Sequence, residues 1–183
     1  MTNQEAFHEL LSGLTKDPEE LRLFFQDPLS FLKKAGVSIF EKPADIPGGV
    51  EKPARARKAA GRAIAATSDF SVVPHWWGIT FVMNEQITNK VVTGKLAIAT
   101  LGSIIASALV GAGFLTGPMA AVVGASFGAA FGLKAAEIKL IDSGNGVYWP
   151  VTWPQWALVV AGAVTGPSTL VAAISAFVHP LPN

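Results

Sequence analysis

The sequence predicts a mainly α fold built around a helical hairpin, with a small two-stranded antiparallel β ribbon and a further apolar C-terminal helix. Two observations carry the helical part: residues 96–133 contain no charged side chain, and Thr116-Gly117-Pro118 interrupts them near the middle. A third observation carries the ribbon. Segments 70–83 and 147–153 alternate apolar residues with others, a period of two that is typical of strands.

The composition is that of a folded and unusually apolar chain. Half of the 183 residues are hydrophobic, 15% are charged, and the mean hydropathy is +0.42, which excludes a disordered protein. Charge is divided unevenly, with a net −3 over residues 1–49 and a net +4 over residues 50–183. A basic, apolar C-terminal part suits an anionic membrane surface. Basic and aromatic residues do not interleave, so we expect no nucleic-acid partner.

Cysteine is absent, which excludes disulfides, thiolate metal sites and thioether cross-links. The first residues, MTNQEAFHELLSGL, lack the basic start and apolar core of a secretory signal peptide. If the protein is exported, we therefore expect another route.

Residues 1–49 are predicted to form a helical, leader-like region. Asp17-Pro18 and Asp27-Pro28 each combine an N-cap aspartate with a proline at the first helical position. Gly36 follows Lys33-Lys34 as a C-terminal cap. These helices either form a small subdomain packed on the rest or act as a recognition tag.

The segment LRLFFQDPLSFLKKAGVSI (21–39) combines a hydrophobic helix, an Asp-Pro step and a Gly-Val end. In these features it resembles the leader region of nitrile-hydratase-type leader peptides, which precede peptide natural products. The resemblance covers residues 5–49. It implies cleavage after Gly48-Gly49 by a peptidase fused to an exporter, and so an export partner.

Residues 50–69 are predicted to be a basic linker, either a solvated hinge or a cationic arm that binds membrane surfaces. It carries Lys52, Arg55, Arg57, Lys58 and Arg62. Residues 70–183 form the body.

Within the body, the hairpin helices are predicted at about 96–115 and 119–139. One membrane-spanning helix needs roughly 20 apolar residues, so the charge-free stretch is long enough for two. Small residues recur every four positions in both helices, as a glycine zipper at Gly124, Gly128 and Gly132 and as a second row at Ser103, Ser107 and Gly111. Such rows allow close helix packing. The hairpin is either a tightly packed core element or a membrane-inserting one.

The two predicted strands flank the hairpin and bring the aromatic residues together. All five tryptophans lie there: Trp76, Trp77, Trp149, Trp153 and Trp156. If the hairpin enters a bilayer, these rings and the flanking Lys95 and Lys134 are predicted to lie at the membrane interface. In a soluble fold the same rings would border the core. The apolar segment 155–178 is interrupted at Thr165-Gly166-Pro167, and is either one helix or two short ones.

No residue pattern supports catalysis, so we expect no enzyme, no cofactor and no metal. Gly124-Ala125-Ser126-Phe127-Gly128 matches the G-x-S-x-G signature, with Asp142 and His179 following. That signature needs a strand before the serine, whereas an apolar helix is predicted here. The three histidines have no ligand spacing.

The sequence favours a bacteriocin-like exported protein that permeabilises target membranes after leader removal. It would be secreted, act at a target-cell membrane and form homo-oligomers. The alternative is a resident membrane protein or self-assembling structural protein that oligomerises through the apolar hairpin.

Overall fold

The computed structural model describes residues 1–50, 65–66 and 70–183, with backbone alone at residues 65, 66 and 167. Its helices are α1 (Asn3–Leu14), α2 (Pro18–Gln26), α3 (Pro28–Lys34), α4 (Glu85–Val92), α5 (Ile98–Gly111), α6 (Gly117–Leu133), α7 (Ala135–Ile141), α8 (Trp153–Thr165) and α9 (Pro167–Phe177), with a 3₁₀ turn at Pro43–Asp45. Its strands are β1 (Ala65–Ala66), β2 (Phe70–His75), β3 (Gly78–Met83), β4 (Val147–Thr152) and β5 (Leu181–Pro182). The predicted linker, 50–69, lies almost wholly outside these residues.

The fold is mostly helical, but the predicted two-stranded ribbon is wrong. The strands form one antiparallel sheet in the order β1-β2-β3-β4-β5, with two-residue strands at its edges. Segment 70–83 is not one strand, because the chain reverses at Trp76-Trp77 and pairs β2 with β3. Neither residue at the turn is the glycine, asparagine or aspartate that marks most tight turns, so the composition gave no turn signal.

The sheet is centred on β3 and β4, which pair antiparallel from Gly78 opposite Thr152 to Met83 opposite Val147. This pair is the one expected from the two alternating segments. Gly78 is needed there, because a Cβ at this position would collide with the carbonyl oxygen of Val151. The side chains that alternate on one face join the main core: Ile79, Phe81, Met83, Val147, Trp149 and Val151.

The N-terminal helices begin and end as their sequence predicts. The Asp17 side chain accepts a 2.9 Å hydrogen bond from the backbone N–H of Glu19, and the Asp27 side chain caps α3 in the same manner. Gly36 has a φ of +72°, the left-handed conformation that ends many helices at a glycine.

The hairpin consists of α5 and α6, and Pro118 in the first turn of α6 marks the predicted break. Its second helix is shorter than expected, because the chain bends by 64° between α6 and α7 at Lys134. The further apolar C-terminal helix is also two helices rather than one. Gly166, with a φ of +139°, separates α8 from α9.

Candidate functional site: the apolar hairpin and the segment that covers it

The two hairpin helices pack backbone against backbone. A Cβ added at Gly128 would lie 2.7 Å from the backbone nitrogen of Gly102, and one added at Gly124 would lie 2.7 Å from that of Ala106. At Gly132 the nearest atom would be Cγ1 of Ile98, 3.0 Å away. The three zipper glycines therefore contact the other helix of the same hairpin. At Gly124 and Gly128 no side chain fits between the backbones, whereas Gly132 faces the side chain of Ile98.

The row on α5 that receives the zipper is displaced by one residue from the predicted row. Ile98, Gly102 and Ala106 meet α6, whereas Ser103, Ser107 and Gly111 are all exposed. These three residues therefore lie outside the contact between the hairpin helices, and packing against another helix stays a prediction for them. Both rows have a four-residue spacing, and the spacing alone cannot say which of two adjacent rows faces inward.

The other side of α6 lies on the sheet through aromatic side chains. Phe127 packs on Phe81 of β3 with ring centroids 4.5 Å apart. Phe131 stacks on Trp149 of β4 at 4.0 Å and an interplanar angle of 17°. All four rings are fully buried. The hairpin is thus the central layer of the core rather than an appendage.

Residues 1–49, which we call the cover, close the core on another side. Phe25 of α2 stacks on Phe114, in the loop between the hairpin helices, with centroids 3.5 Å apart. Phe24 meets Trp153 edge-on at 5.1 Å. The indole Nε1–H of Trp156 donates a 2.8 Å hydrogen bond to the carbonyl of Phe25. The cover and the body share one hydrophobic cluster.

The end of the cover is anchored, and the predicted cleavage site beside it is exposed. The Thr152 hydroxyl donates a 3.0 Å hydrogen bond to the carbonyl of Glu41, and Ile46 is buried. Gly48 and Gly49 follow in an exposed turn with φ values of +81° and +78°. The turn itself is accessible, whereas Ile46 before it is buried and Val50 after it packs on the cluster of Val73, Val82 and Tyr148.

The tryptophans predicted for a membrane interface lie inside the fold. Trp77, Trp149, Trp153 and Trp156 are at most 1% exposed, and Trp76 is half-buried. In this conformation they border and fill the core. The interfacial belt concerns a membrane-inserted state and stays a prediction. Apolar rings find the same favourable surroundings in a core as in a membrane interface, which is why composition did not separate the two.

The flanking lysines differ in their surroundings. Lys95 is exposed, whereas Lys134 is half-buried and its Nζ lies 3.1 Å from Oε2 of Glu137. His179 Nδ1 lies 3.2 Å from the same carboxylate. Partial burial acts to raise the pKa of Glu137, but the hydrogen bonds from Lys134 and His179 outweigh it and leave the pKa below its usual value.

Four helices form a layer without charge: α5, α6, α9 and α8 pack side by side in that order. Residues 96–133 and 143–178, which include these helices, contain no Asp, Glu, Lys or Arg. Several apolar side chains of the layer point outward, with Val164 78%, Leu133 72%, Leu158 64% and Ile98 52% exposed. Large apolar side chains that face outward in this way are available for contact with a membrane or another protein.

One buried titratable group was missed from the sequence. His75 is 4% exposed, its Nε2 lies 2.8 Å from the Thr80 hydroxyl, and its ring stacks on Trp77 at 4.6 Å. Burial lowers the pKa of His75 to about 3, because the charged imidazolium would lose its hydration. His75 is therefore uncharged in the folded protein at neutral pH. A lone histidine in an apolar segment does not reveal from the sequence that it is buried and uncharged.

The G-x-S-x-G residues do not form a nucleophile elbow. Ser126 is buried within α6, and its hydroxyl donates a 2.8 Å hydrogen bond to the carbonyl of Val122 one turn earlier. Among the described residues, no group of three His, Cys, Asp or Glu side chains could hold a metal ion.

A test of length and hydropathy finds no single helix able to span a bilayer in the described part of the chain. The bent pair of α6 and α7 passes the test only when the two are taken together.

Comparison with known proteins found no matching family model, no similar curated protein and no similar solved structure.

Proposed function

We propose that this chain is a latent membrane-active protein, in which residues 1–49 cover an apolar body that permeabilises target membranes after their removal. The observation that carries the proposal is the contact between the cover and the apolar body. Phe24 and Phe25 are fully buried against Phe114 and Trp153. Loss of the cover would expose these aromatic surfaces together, and exposed apolar surface favours transfer into a bilayer.

The uncharged layer of α5, α6, α8 and α9 supports the same proposal. A charged side chain costs roughly 2.5–3.5 kcal/mol at the centre of an inserted helix, and these helices carry none. Their outward side chains, such as Leu158 and Val164, can contact lipid without burying a charge. The basic residues at 52–62 would add electrostatic attraction to an anionic surface.

Self-assembly through the hairpin is the alternative function. The zipper glycines contact α5 of the same chain, so an oligomer of the folded protein cannot use them without opening the hairpin. The exposed Leu158 and Val164 are the residues that favour assembly through another surface.

A site-specific cut separates these functions. We would insert a protease recognition sequence between Gly49 and Val50 and measure dye release from vesicles containing phosphatidylglycerol, before and after cleavage. We expect at least a roughly tenfold increase in the leakage rate. The increase should shrink at high salt, because the Debye length falls from about 10 Å at 0.1 M to about 3 Å at 1 M.

The matched control carries the same recognition sequence in the exposed turn between Ser143 and Gly144, where a cut leaves the cover attached to the hairpin. Equal leakage from uncut protein and from cut protein that has been separated from residues 1–49 would contradict the proposal. Assembly of the cut protein without leakage, measured by light scattering, would support the alternative. Intact mass of material from the culture medium gives a further test, since a leader predicts an N-terminus at Val50.

A further inference from the structure

A cleft of about 390 Å³ lies where the cover meets the C-terminal end of the body. Its apolar wall is formed by Pro43 and Ala44 of the cover, and by Pro150, Ala176, Phe177 and Leu181 of the body. Small-molecule sites usually have volumes of roughly 300–1,000 Å³ and apolar linings with a few polar groups. This cleft is at the small end of that range.

The polar groups of the cleft are Lys42, Gln155 and His179. Lys42 has no ion-pair partner among the described residues, and no acidic side chain lines the cleft itself. Two carboxylates lie behind the lining: Glu137 is 3.2 Å from Nδ1 of His179, and Asp45 accepts a 3.2 Å hydrogen bond from the backbone N–H of Lys42. Gln155 Oε1 already accepts a 2.9 Å hydrogen bond from the backbone N–H of Thr152. Only the amide N–H groups of Gln155 remain for a ligand, and a lysine ammonium also donates only. The cleft thus offers hydrogen-bond donors and one positive charge beside an apolar wall.

We propose that this cleft binds a single acyl chain that ends in a carboxylate, such as a free fatty acid. The apolar wall would hold the chain, and the carboxylate would accept hydrogen bonds from Lys42 and Gln155. A carboxylate supplies only acceptors at neutral pH, which complements the ammonium of Lys42 and the amide N–H groups of Gln155. A cleft of this volume takes one chain, so a free fatty acid fits it better than a two-chain phospholipid.

The ligand would contact both sides of the boundary between cover and body. Pro43 precedes the Gly48-Gly49 turn, whereas Phe177 closes α9. A ligand that binds only the folded state stabilises it by mass action. Fatty acid should therefore hold the cover in place. This effect on leakage rests on the proposed function, whereas the binding itself does not.

Isothermal titration calorimetry of the full-length, uncut protein with decanoate tests the binding. We expect one saturable site per chain. Octanoate should bind about 16-fold more weakly, because each buried methylene contributes about fourfold to affinity. Decanol, with the same chain and no charge, should bind more weakly than decanoate. Absence of saturable binding, or equal affinity for decanol and decanoate, would overturn the proposal.

Two variants, compared with one control, locate the site. Ala176→Phe fills the cleft from α9 and should abolish decanoate binding, whereas Ala121→Leu adds bulk to an exposed position of α6 outside the cleft and should leave binding unchanged. Lys42→Gln removes the charge and should weaken binding by up to about fivefold. Circular dichroism would verify that each variant is folded. Unchanged affinity in both Ala176→Phe and Lys42→Gln would place the ligand elsewhere.

The source of the acyl chain is tested by competition. Phosphatidylglycerol vesicles should not displace bound decanoate from the full-length protein. Displacement would show that the cleft takes a phospholipid chain and would overturn the assignment to a free fatty acid. In the leakage assay, decanoate should slow dye release by the cut protein only if the proposed function holds. If calorimetry shows binding but leakage does not change, the proposed function is contradicted and the proposed binding site is supported.

Discussion

The indole Nε1–H of Trp156 donates a 2.8 Å hydrogen bond to the backbone carbonyl of Phe25, and both residues are fully buried. Phe25 lies in the last turn of α2, where backbone carbonyls find no N–H donor within the helix. A side chain of α8 thus supplies the hydrogen bond that a terminal carbonyl of α2, in the cover, would otherwise lack. This bond, together with the Phe25–Phe114 stack, ties residues 1–49 to the apolar body.

Replacing Trp156 by phenylalanine tests that bond. The change keeps an aromatic ring but leaves the buried carbonyl of Phe25 without its donor, which costs about 1–3 kcal/mol. Trp149→Phe is the matched control, because the Trp149 Nε1 has no hydrogen-bond partner in the described part of the structure. Urea unfolding should show a larger loss for Trp156→Phe. Equal losses would mean that the hydrogen bond contributes nothing.

Gly128→Ala should destabilise the fold although alanine favours helices by about 0.8–1 kcal/mol over glycine. Its Cβ would lie 2.7 Å from the Gly102 nitrogen and 2.9 Å from the Gly102 Cα, so the two helices must separate. Overpacking of this kind costs about 1–3 kcal/mol.

Gly111→Ala is the control for that change, because a Cβ at Gly111 meets nothing within 4 Å. It should be neutral or slightly stabilising. Chemical denaturation of both variants gives the comparison, and a Gly128→Ala protein as stable as the parent would contradict the close backbone contact.

Stability should fall as the pH drops below about 6.5, because of His75. Its pKa is about 3 in the folded state against an ordinary 6.5, so the unfolded chain binds the proton more readily. The contribution of His75 to the free energy of unfolding is complete above pH 6.5. It is lost as the pH falls towards 3, by about 1.4 kcal/mol per pH unit. Free energies of unfolding between about pH 7 and pH 5 measure this loss.

His75→Gln removes the titrating group and keeps a side chain that can bond to Thr80, so its stability should change less with pH over that range. His8→Gln, at a partly exposed position of α1, should keep the pH dependence of the parent. Glu5 and Glu137 do not contribute to the change in stability between about pH 7 and pH 5. Hydrogen bonds with Thr2 lower the pKa of Glu5, and the pKa of Glu137 is lowered as well. Their contributions are therefore lost only below an ordinary pKa of about 4.5.

Phe25→Leu should increase leakage by the uncut protein if the cover masks the membrane-active surface. The change removes the ring that stacks on Phe114 and loosens the cover without adding a polar group. Phe40→Leu is the control, since Phe40 is only half-buried and meets Trp76 at 5.5 Å. Dye release from phosphatidylglycerol vesicles measures both. Parent-like leakage from a folded Phe25→Leu protein would argue against masking.

The sequence predicted the parts of the fold that rest on local signals. The Asp-Pro helix starts, the Gly36 end, the break at Pro118 and the β3–β4 pairing depend on neighbouring residues or on a period of two. The turn at Trp76-Trp77 was missed because it has no turn-forming residue. The bend at Lys134 was missed because helix-forming residues continue through it.

The candidate site was harder to predict, because its properties depend on distant contacts. Spacing identified Gly128 as a packing position, but spacing does not report how closely the facing backbone approaches. Only the position of Gly102 on the facing helix shows that a methyl group does not fit. The placement of the tryptophans and the burial of His75 likewise depend on residues far away in the chain, which periodicity does not report.

The Phe25–Phe114 stack has a consequence during synthesis of the chain. A ribosome makes proteins from the N-terminus, so helices α1 to α3 are complete well before residue 114 emerges, and N-terminal units generally fold first. The residues that contact the loop between α5 and α6 have therefore already been synthesised when the most apolar part of the chain leaves the ribosome. Residues 1–49 would in this way act as an intramolecular chaperone that shields the hairpin from aggregation during synthesis.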